Sequence, residues 1–311
     1  MRVLLLVNPF SSSVTARTRV VIRKALAGDH DVELVETARR GHATRLAQGA
    51  AAGGVDVVVA LGGDGTVNET ANGLAGTATA LGVLPGGSTN VFARSIGLPN
   101  EPVESTAILL EALEAGSIRR VGLGSVNGRY FCFHVGMGYD AALVEQVEER
   151  SGLKRWAGHP LFMWAGLSTW FKHYDTKHPH FRVTYPDGDH VDDGYFAVCC
   201  NTNPYTYIGN RPFDIAPEAT LENGLAMVTV RSLRIDRILR VVFRALQGGG
   251  ALARDPAVHY RPDVDQLVVE GLDAKPFPYQ VDGDYLGEIT RLELRHVPDV
   301  MGLVVPVEYP G

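Results

Sequence analysis

Two fold classes follow one another in this sequence: a doubly wound α/β domain over residues 1–121, then an antiparallel β-sandwich domain over 122–298, with 299–311 returning to the first. Three observations predict this. Up to residue 121, short apolar runs alternate with helical stretches, the rhythm of strands and crossover helices on a parallel sheet. Beyond it, short turn-bounded runs rich in β-branched and aromatic residues dominate, as in a sandwich. Several apolar runs of the first part stop at glycine-rich or hydroxyl-rich turns, where open α/β sheets place their ligands.

Taken in order, residues 3–7 form a buried strand ending at the polar turn Asn8, Pro9, Phe10, Ser11, Ser12, Ser13, ahead of a helix over 15–27. Residues 31–36 alternate and end at Thr37, whose hydroxyl faces the same edge if the sheet is parallel. The run 57–61 stops at Gly62, Gly63, Asp64, Gly65, Thr66, Val67, Asn68 and Glu69, with a helix beginning near Thr66 and continuing over 69–74. Residues 81–84 lead into Pro85, Gly86, Gly87, Ser88, Thr89 and Asn90, followed by helical character at 91–94 and a helix over 103–115. In the second part, strands are predicted at 129–135, 181–185, 195–200, 225–230, 266–270 and 291–295. Val297, Pro298 and Asp299 break the last of these, and 303–305 return to the first domain.

The glycines carry chemistry. Gly62, Gly63 and Gly65 remove side chains that would keep a phosphate from the backbone N–H groups, and the helix behind them aims its positive end at the same point. Asp64 would repel a bare phosphate there, which implies a bridging Mg²⁺ or a proton to be handled, and so phosphoryl transfer. Gly87, Ser88 and Thr89 set a second group of donors beside the first, so that one nucleotide spans both loops. There is no G-x-x-x-x-G-K-[ST] and no G-x-G-x-x-G after the first strand, which argues against a Walker-type NTPase and an ordinary Rossmann dehydrogenase. Asp282 and Asp284 flank Gly283 after an apolar run. Taken alone, Asp-Gly is the commonest hairpin signal. Beside the two upstream loops, the pair reads as one carboxylate to position a metal and one to take a proton.

LGGDGTVNETANGL and PGGSTNVFAR, with the opening LLLVNPFSSS and the T-x-x-x-G-H-A of Thr37, Gly41, His42 and Ala43, closely resemble the bacterial diacylglycerol kinase catalytic-domain family, which includes sphingosine and ceramide kinases. GGDGT by itself is shared with NAD kinases and phosphofructokinase-like enzymes. The resemblance covers nearly the whole chain and implies a phosphofructokinase-like first domain, ATP and Mg²⁺ as cofactors, and phosphoryl transfer to the hydroxyl of diacylglycerol. A sphingoid-base or ceramide acceptor is the alternative, and a soluble acceptor in the manner of NAD kinase is a weaker one. The resemblance implies that Asn8 and Ser11 to Ser13 touch the phosphates, Thr37 the nucleotide, Gly63 through Glu69 the triphosphate, and Ser88 its far side. It places Asp284 as the proton acceptor of the family's D-G-E motif, one methylene shorter here. Thr220, Asn223 and Leu225 stand where some members hold a structural Mg²⁺ through an Asp and flanking carbonyls; with Asn223 in place of that Asp, weaker binding is expected. Asp140 matches G-[FY]-D-A and is assigned to the lipid head group. Val91 and Gly122 replace aspartates of the family's metal and water network.

Composition sets the remaining bounds. With 311 residues, 45% of them hydrophobic, the chain can bury a large core. A net charge of −6 argues against a nucleic-acid binder, whose phosphate contacts need a basic face, and against a uniformly basic membrane-binding surface. Cys132, Cys199 and Cys200 are odd in number and lack C-x-x-C spacing, so neither a disulfide framework nor a zinc site is indicated. No apolar run approaches the roughly 18 residues that span a bilayer. The expectation is a cytoplasmic protein, peripheral at the inner membrane face, with a lipid substrate, transient membrane contact and room for a homodimer. Residues 154–172 hold every tryptophan between basic ends; packing of this helix on the sandwich is the favoured reading and membrane contact the alternative.

Overall fold

The computed structural model describes residues 1–138, 141, 175–248 and 250–309. Asp140 and the tryptophan-rich segment 154–172 lie outside the described residues. The chain divides into two units, Met1–Leu123 with Val297–Gly311, and Gly124–His296.

The first unit is built on β1 (Arg2–Val7), β2 (Asp31–Glu36), β3 (Val57–Gly62) and β4 (Ala80–Pro85), parallel in the order β2-β1-β3-β4. Every residue of β3 and β4 is buried, as expected for parallel strands covered on both faces, whereas the edge strand β2 alternates. The crossovers are α1 (Ala16–Leu26), α2 (His42–Ala52), α3 (Asp64–Leu74), the short α4 (Val91–Ser95) and α5 (Pro102–Glu114). Thr15 caps α1 through the Thr18 N–H, and Glu101 with Pro102 opens α5. Helix α3 begins at Asp64, two residues before the predicted start. The sequence reading omitted α2, whose alanines and glycine give little apolar contrast. It packs so closely on α3 that a Cβ on Gly73 would lie 2.6 Å from the Thr44 carbonyl oxygen. Leu5, Val59, Leu61 and Leu84 sit in the core between sheet and helices.

The second unit is antiparallel. It contains β5 (Ile118–Val126, shared with the first unit), β6 (Arg129–Phe131), β7 (His134–Gly138), β8 (Phe181–Thr184), β9 (His190–Gly194), β10 (Phe196–Cys200), β11 (Thr206–Ile208), β12 (Arg211–Phe213), β13 (Leu225–Val230), helix α6 (Ile235–Gln247), β14 (Val258–Val264), β15 (Gln266–Gly271), β16 (Phe277–Val281), β17 (Asp284–Ile289) and β18 (Arg291–Val304, also shared with the first unit). One sheet runs β14-β13-β10-β7-β16-β17; in the other, β15 pairs with β8 and with the first half of β18. Phe131, Met137, Phe181, Met227, Phe277 and Leu292 fill the core between them. The predicted strand 129–135 is broken at residues 132–133, while the predicted break at Val297-Pro298-Asp299 does not occur. Strand β18 runs through it with Asp299 at φ 50°, since proline fixes φ without ending an extended segment. Cys132, Cys199 and Cys200 are buried and form no disulfide among the described residues.

Candidate active site

Strand order positions the site. Chain direction reverses from β1 outward to β2 and back to β3 on the other side, so the crevice beyond the carboxyl ends of β1 and β3 is a topological switch point. The register aligns those ends: Val7 pairs with Leu61, and Gly62 with Pro85. The turns that follow therefore lie side by side. Their glycines are needed first for contact with one another. The Gly86 N–H donates to the Gly62 carbonyl at 2.8 Å, and a Cβ on Gly86 would lie 2.8 Å from Gly62 Cα. A Cβ on Gly87 would lie 2.9 Å from Gly63 Cα, and one on Gly62 would strike Thr66. Asn90, at φ 49°, ties the second loop closed: its side chain accepts from the Gly87 N–H at 2.8 Å and donates to the Gly87 carbonyl at 2.9 Å and to Asn100 Oδ1 at 2.6 Å. The first turn docks on the second loop through Ser13, whose N–H and hydroxyl donate to the Gly86 and Gly87 carbonyls.

Several residues expected to face the nucleotide are instead used within the protein. Asp64 accepts from the N–H groups of Val91 and Phe92 at 3.0 and 3.1 Å, so it caps α4 rather than standing bare in the loop. Burial raises its pKa above the ordinary carboxylate value, and the two N–H bonds oppose that rise. Glu69 accepts from the N–H groups of Gly41 and Ala43 at 2.8 and 3.1 Å and caps α2. Asn8 Nδ2 donates to Thr66 Oγ1 at 2.9 Å, joining two predicted ligand groups to each other. Val67 and Asn68 are buried in α3, and the Thr37 side chain is buried with its N–H on the Val7 carbonyl.

What stays open is compact. Gly65 is exposed, and a Cβ there would meet nothing within 4 Å; one on Gly63 would make only ordinary contact at 3.5 Å. Ser12 and Ser88 are exposed, with Ser11 and Thr89 half-buried beside them. Gly63, the N-cap of α3, has no side chain to offer the first-turn N–H groups beside this opening.

In the second unit, Asp282 and Gly283 form the two-residue turn between β16 and β17, both at positive φ (49° and 82°), with Val281 paired to Asp284. This is type I′ geometry. The buried Asp282 carboxylate accepts three backbone N–H bonds, from Cys132 at 2.7 Å and from Phe133 and His134 at 3.0 Å each. The carboxylate expected to position a metal thus satisfies the backbone where the strand 129–135 breaks. Asp284 differs. It is half-buried and forms a 3.3 Å ion pair with Arg129. His134 is buried between Phe133 and Tyr205, with ring centroids 4.8 and 4.5 Å away, and desolvation lowers its pKa to about 3.

The predicted metal loop is held by its own hydrogen bonds. Asn223 Nδ2 donates to the Glu218 carbonyl and the Asn223 N–H to the Thr220 carbonyl, each at 3.3 Å, while Leu225 enters β13 opposite Val264. Among the described residues no group of three His, Cys, Asp or Glu side chains is placed to hold a metal ion. Val91 is buried in α4 and Gly122 in β5.

The model of the diacylglycerol kinase catalytic domain matches residues 2–126. A diacylglycerol kinase of Bacillus subtilis is 33% identical over 234 residues, 73% of this chain and 72% of that protein. A protein named probable lipid kinase YegS-like from Chromohalobacter salexigens is 34% identical over 189 residues, and the match spans 60% of this chain but only 58% of that relative. The crystal structure of a diacylglycerol kinase from Bacillus anthracis superposes with a TM-score of 0.71 over 99% of this chain and 98% of the other; at 19% identity this shows the shared fold.

Proposed function

Because the chain belongs to the diacylglycerol kinase catalytic-domain family of lipid kinases, we propose that it transfers the γ-phosphoryl group of ATP to the hydroxyl of diacylglycerol, giving phosphatidic acid. The observation that carries this reading is the N-terminus of α3, with Gly63 as its N-cap, opening at the switch point between β1 and β3. A triphosphate fits that cradle. The N–H groups at Gly63 to Gly65 would bind its oxygens, with hydroxyls of Ser11, Ser12, Ser88 and Thr89 around them. Ser13 and Asn90 hold the two loops at the spacing this requires. Asp64 and Glu69 act from behind, fixing α4 and α2.

Asp284 is the group assigned to take the acceptor hydroxyl's proton. Its carboxylate is half-buried and steadied by Arg129. Bound ATP supplies the transferred group, and Mg²⁺ supplies neutralisation of its charge. Asp64, with both oxygens on backbone N–H groups, would add negative charge near a bound Mg²⁺.

The test is transfer from labelled ATP to diacylglycerol, sphingosine or ceramide in mixed micelles. Labelled phosphatidic acid is expected. Label on sphingosine or ceramide alone would move the acceptor, and transfer that needs no lipid would overturn the lipid reading.

A further inference from the structure

Helix α6 has two apolar sides, and the fold covers one. Val241 and Ala245 pack beneath it against Val198, Cys200 and Val228 of the neighbouring sheet. Ile235, Leu239, Val242 and Phe243, spaced i, i+4, i+7 and i+8, form a second stripe that faces outward, with Leu239 65% and Phe243 61% exposed. The β11–β12 hairpin extends this surface: Arg211 donates to the Leu246 carbonyl at 2.6 Å, and Ile208 of the same hairpin is exposed. Isolated exposed apolar residues need no explanation, but a contiguous group of this kind marks a contact surface.

Charge indicates what the surface contacts. Arg240 borders the stripe, Arg237 follows it on the polar side of the helix and Arg211 stands at the helix's end, while Arg234 pairs with Asp236 and Arg244 with the buried Asp255. This local cationic character stands in a chain of net charge −6. A second copy of the same patch would set arginine against arginine. An anionic bilayer would accept the arginines at its head groups and the aliphatic and phenyl groups at the acyl boundary.

We propose that α6 and the β11–β12 hairpin form the face by which this protein lies on an anionic lipid surface. The choice of occupant rests on the lipid-kinase reading; the surface itself does not. The test uses the full chain without nucleotide, sedimented with vesicles of phosphatidylcholine alone or mixed with phosphatidylglycerol. Wild type should partition onto the anionic vesicles. Leu239→Ser with Phe243→Ser should reduce that partition about tenfold or more, and Arg237→Gln with Arg240→Gln about tenfold and on anionic vesicles only. All four positions lie outside the core, so thermal melting should match wild type; if the serine pair unfolds, the glutamine pair decides. Both variants should retain turnover on a short-chain diacylglycerol dissolved in detergent micelles. Vesicle binding equal to wild type in both variants would overturn the proposal, as would failure of wild type to bind either vesicle. Loss of self-association in the variants with vesicle binding unchanged would assign the surface to a second copy instead. If wild type transfers phosphate to no lipid, the kinase reading fails while vesicle binding still judges the face.

Discussion

Asp282 and Asp284 are two residues apart and identical in type, yet Asp282→Asn and Asp284→Asn should fail in different ways. Asn tolerates the positive φ that residue 282 adopts and suits a type I′ turn beside Gly283, so the substitution isolates the charge from the backbone conformation. In the wild type, Oδ1 accepts from Phe133 and His134 and Oδ2 from Cys132. A carboxamide keeps at most the Oδ1 pair, now as neutral bonds. Its NH₂ group replaces the acceptor 2.7 Å from the Cys132 N–H, leaving two buried donors facing each other. Losing one charge-assisted bond costs about 1.5–3 kcal/mol and each unsatisfied buried donor about 1–3 kcal/mol, so the total is about 3–5 kcal/mol after partial relaxation. For a unit of this size that lowers the melting temperature by about 6–20 °C. Thermal and urea unfolding of the purified variant measure it, with turnover assayed well below the transition. A variant that melts within about 1 °C of wild type and has lost turnover would refute the reasoning, because Asp282 would then be chemical rather than structural.

Asp284→Asn, by contrast, should lower kcat by about 10²–10⁴-fold with the apparent ATP affinity unchanged and stability moved by less than about 1 kcal/mol, since its ion pair with Arg129 is partly exposed; steady-state kinetics and melting separate the two effects. Gly65→Ala should stabilise the protein by about 0.5–1 kcal/mol, because the position is helical and its Cβ meets nothing, while weakening ATP binding; calorimetric titration showing unchanged affinity would move the phosphates elsewhere. His134 stays neutral in the folded protein down to about pH 3 but binds a proton near pH 6.5 when unfolded. Its contribution to stability is therefore intact above pH 6.5 and falls as pH drops, by about 2 kcal/mol between pH 6.5 and 5. Urea unfolding across that range should lose this slope in His134→Phe.

How much was legible follows from what each signal reports. The runs 3–7, 57–61 and 81–84 are buried on both faces, so their apolar continuity identified parallel strands and the turns behind them. That same continuity located the switch point. Carboxylates are ambiguous at this level: Asp64, Glu69 and Asp282 read as ligand groups because a sequence does not say whether an acidic side chain in a glycine-rich turn faces outward or takes a neighbour's N–H. A signal was present. Helix α2 follows Gly41, which has no side chain to cap with, so the helix needs an acceptor from elsewhere in the chain, whereas Asn90 before α4 is a good capping residue by type and is drawn away by Gly87 and Asn100. The outward stripe of α6 was missed for a different reason. The aromatic weight of 154–172 drew the membrane reading there, while IDRILRVVFRALQ, with one tier of apolar residues buried and one exposed, resembles any core helix until its packing is known.

The caps also resolve why a loop built for polyanions contains acid. Asp64 and Glu69 both belong to α3, and each is spent on the N-terminus of another helix, α4 and α2 respectively. Their negative charge is thus matched to the positive ends of neighbouring helix dipoles instead of to α3's own. The N-terminus of α3, whose N-cap Gly63 has no side chain, is the one that opens on the switch point. Bridging by a metal is not required to explain a carboxylate at this place in the sequence. Two helices are fixed against α3 by its acids, and the field left over at the loop is that of a helix N-terminus, favourable to a triphosphate.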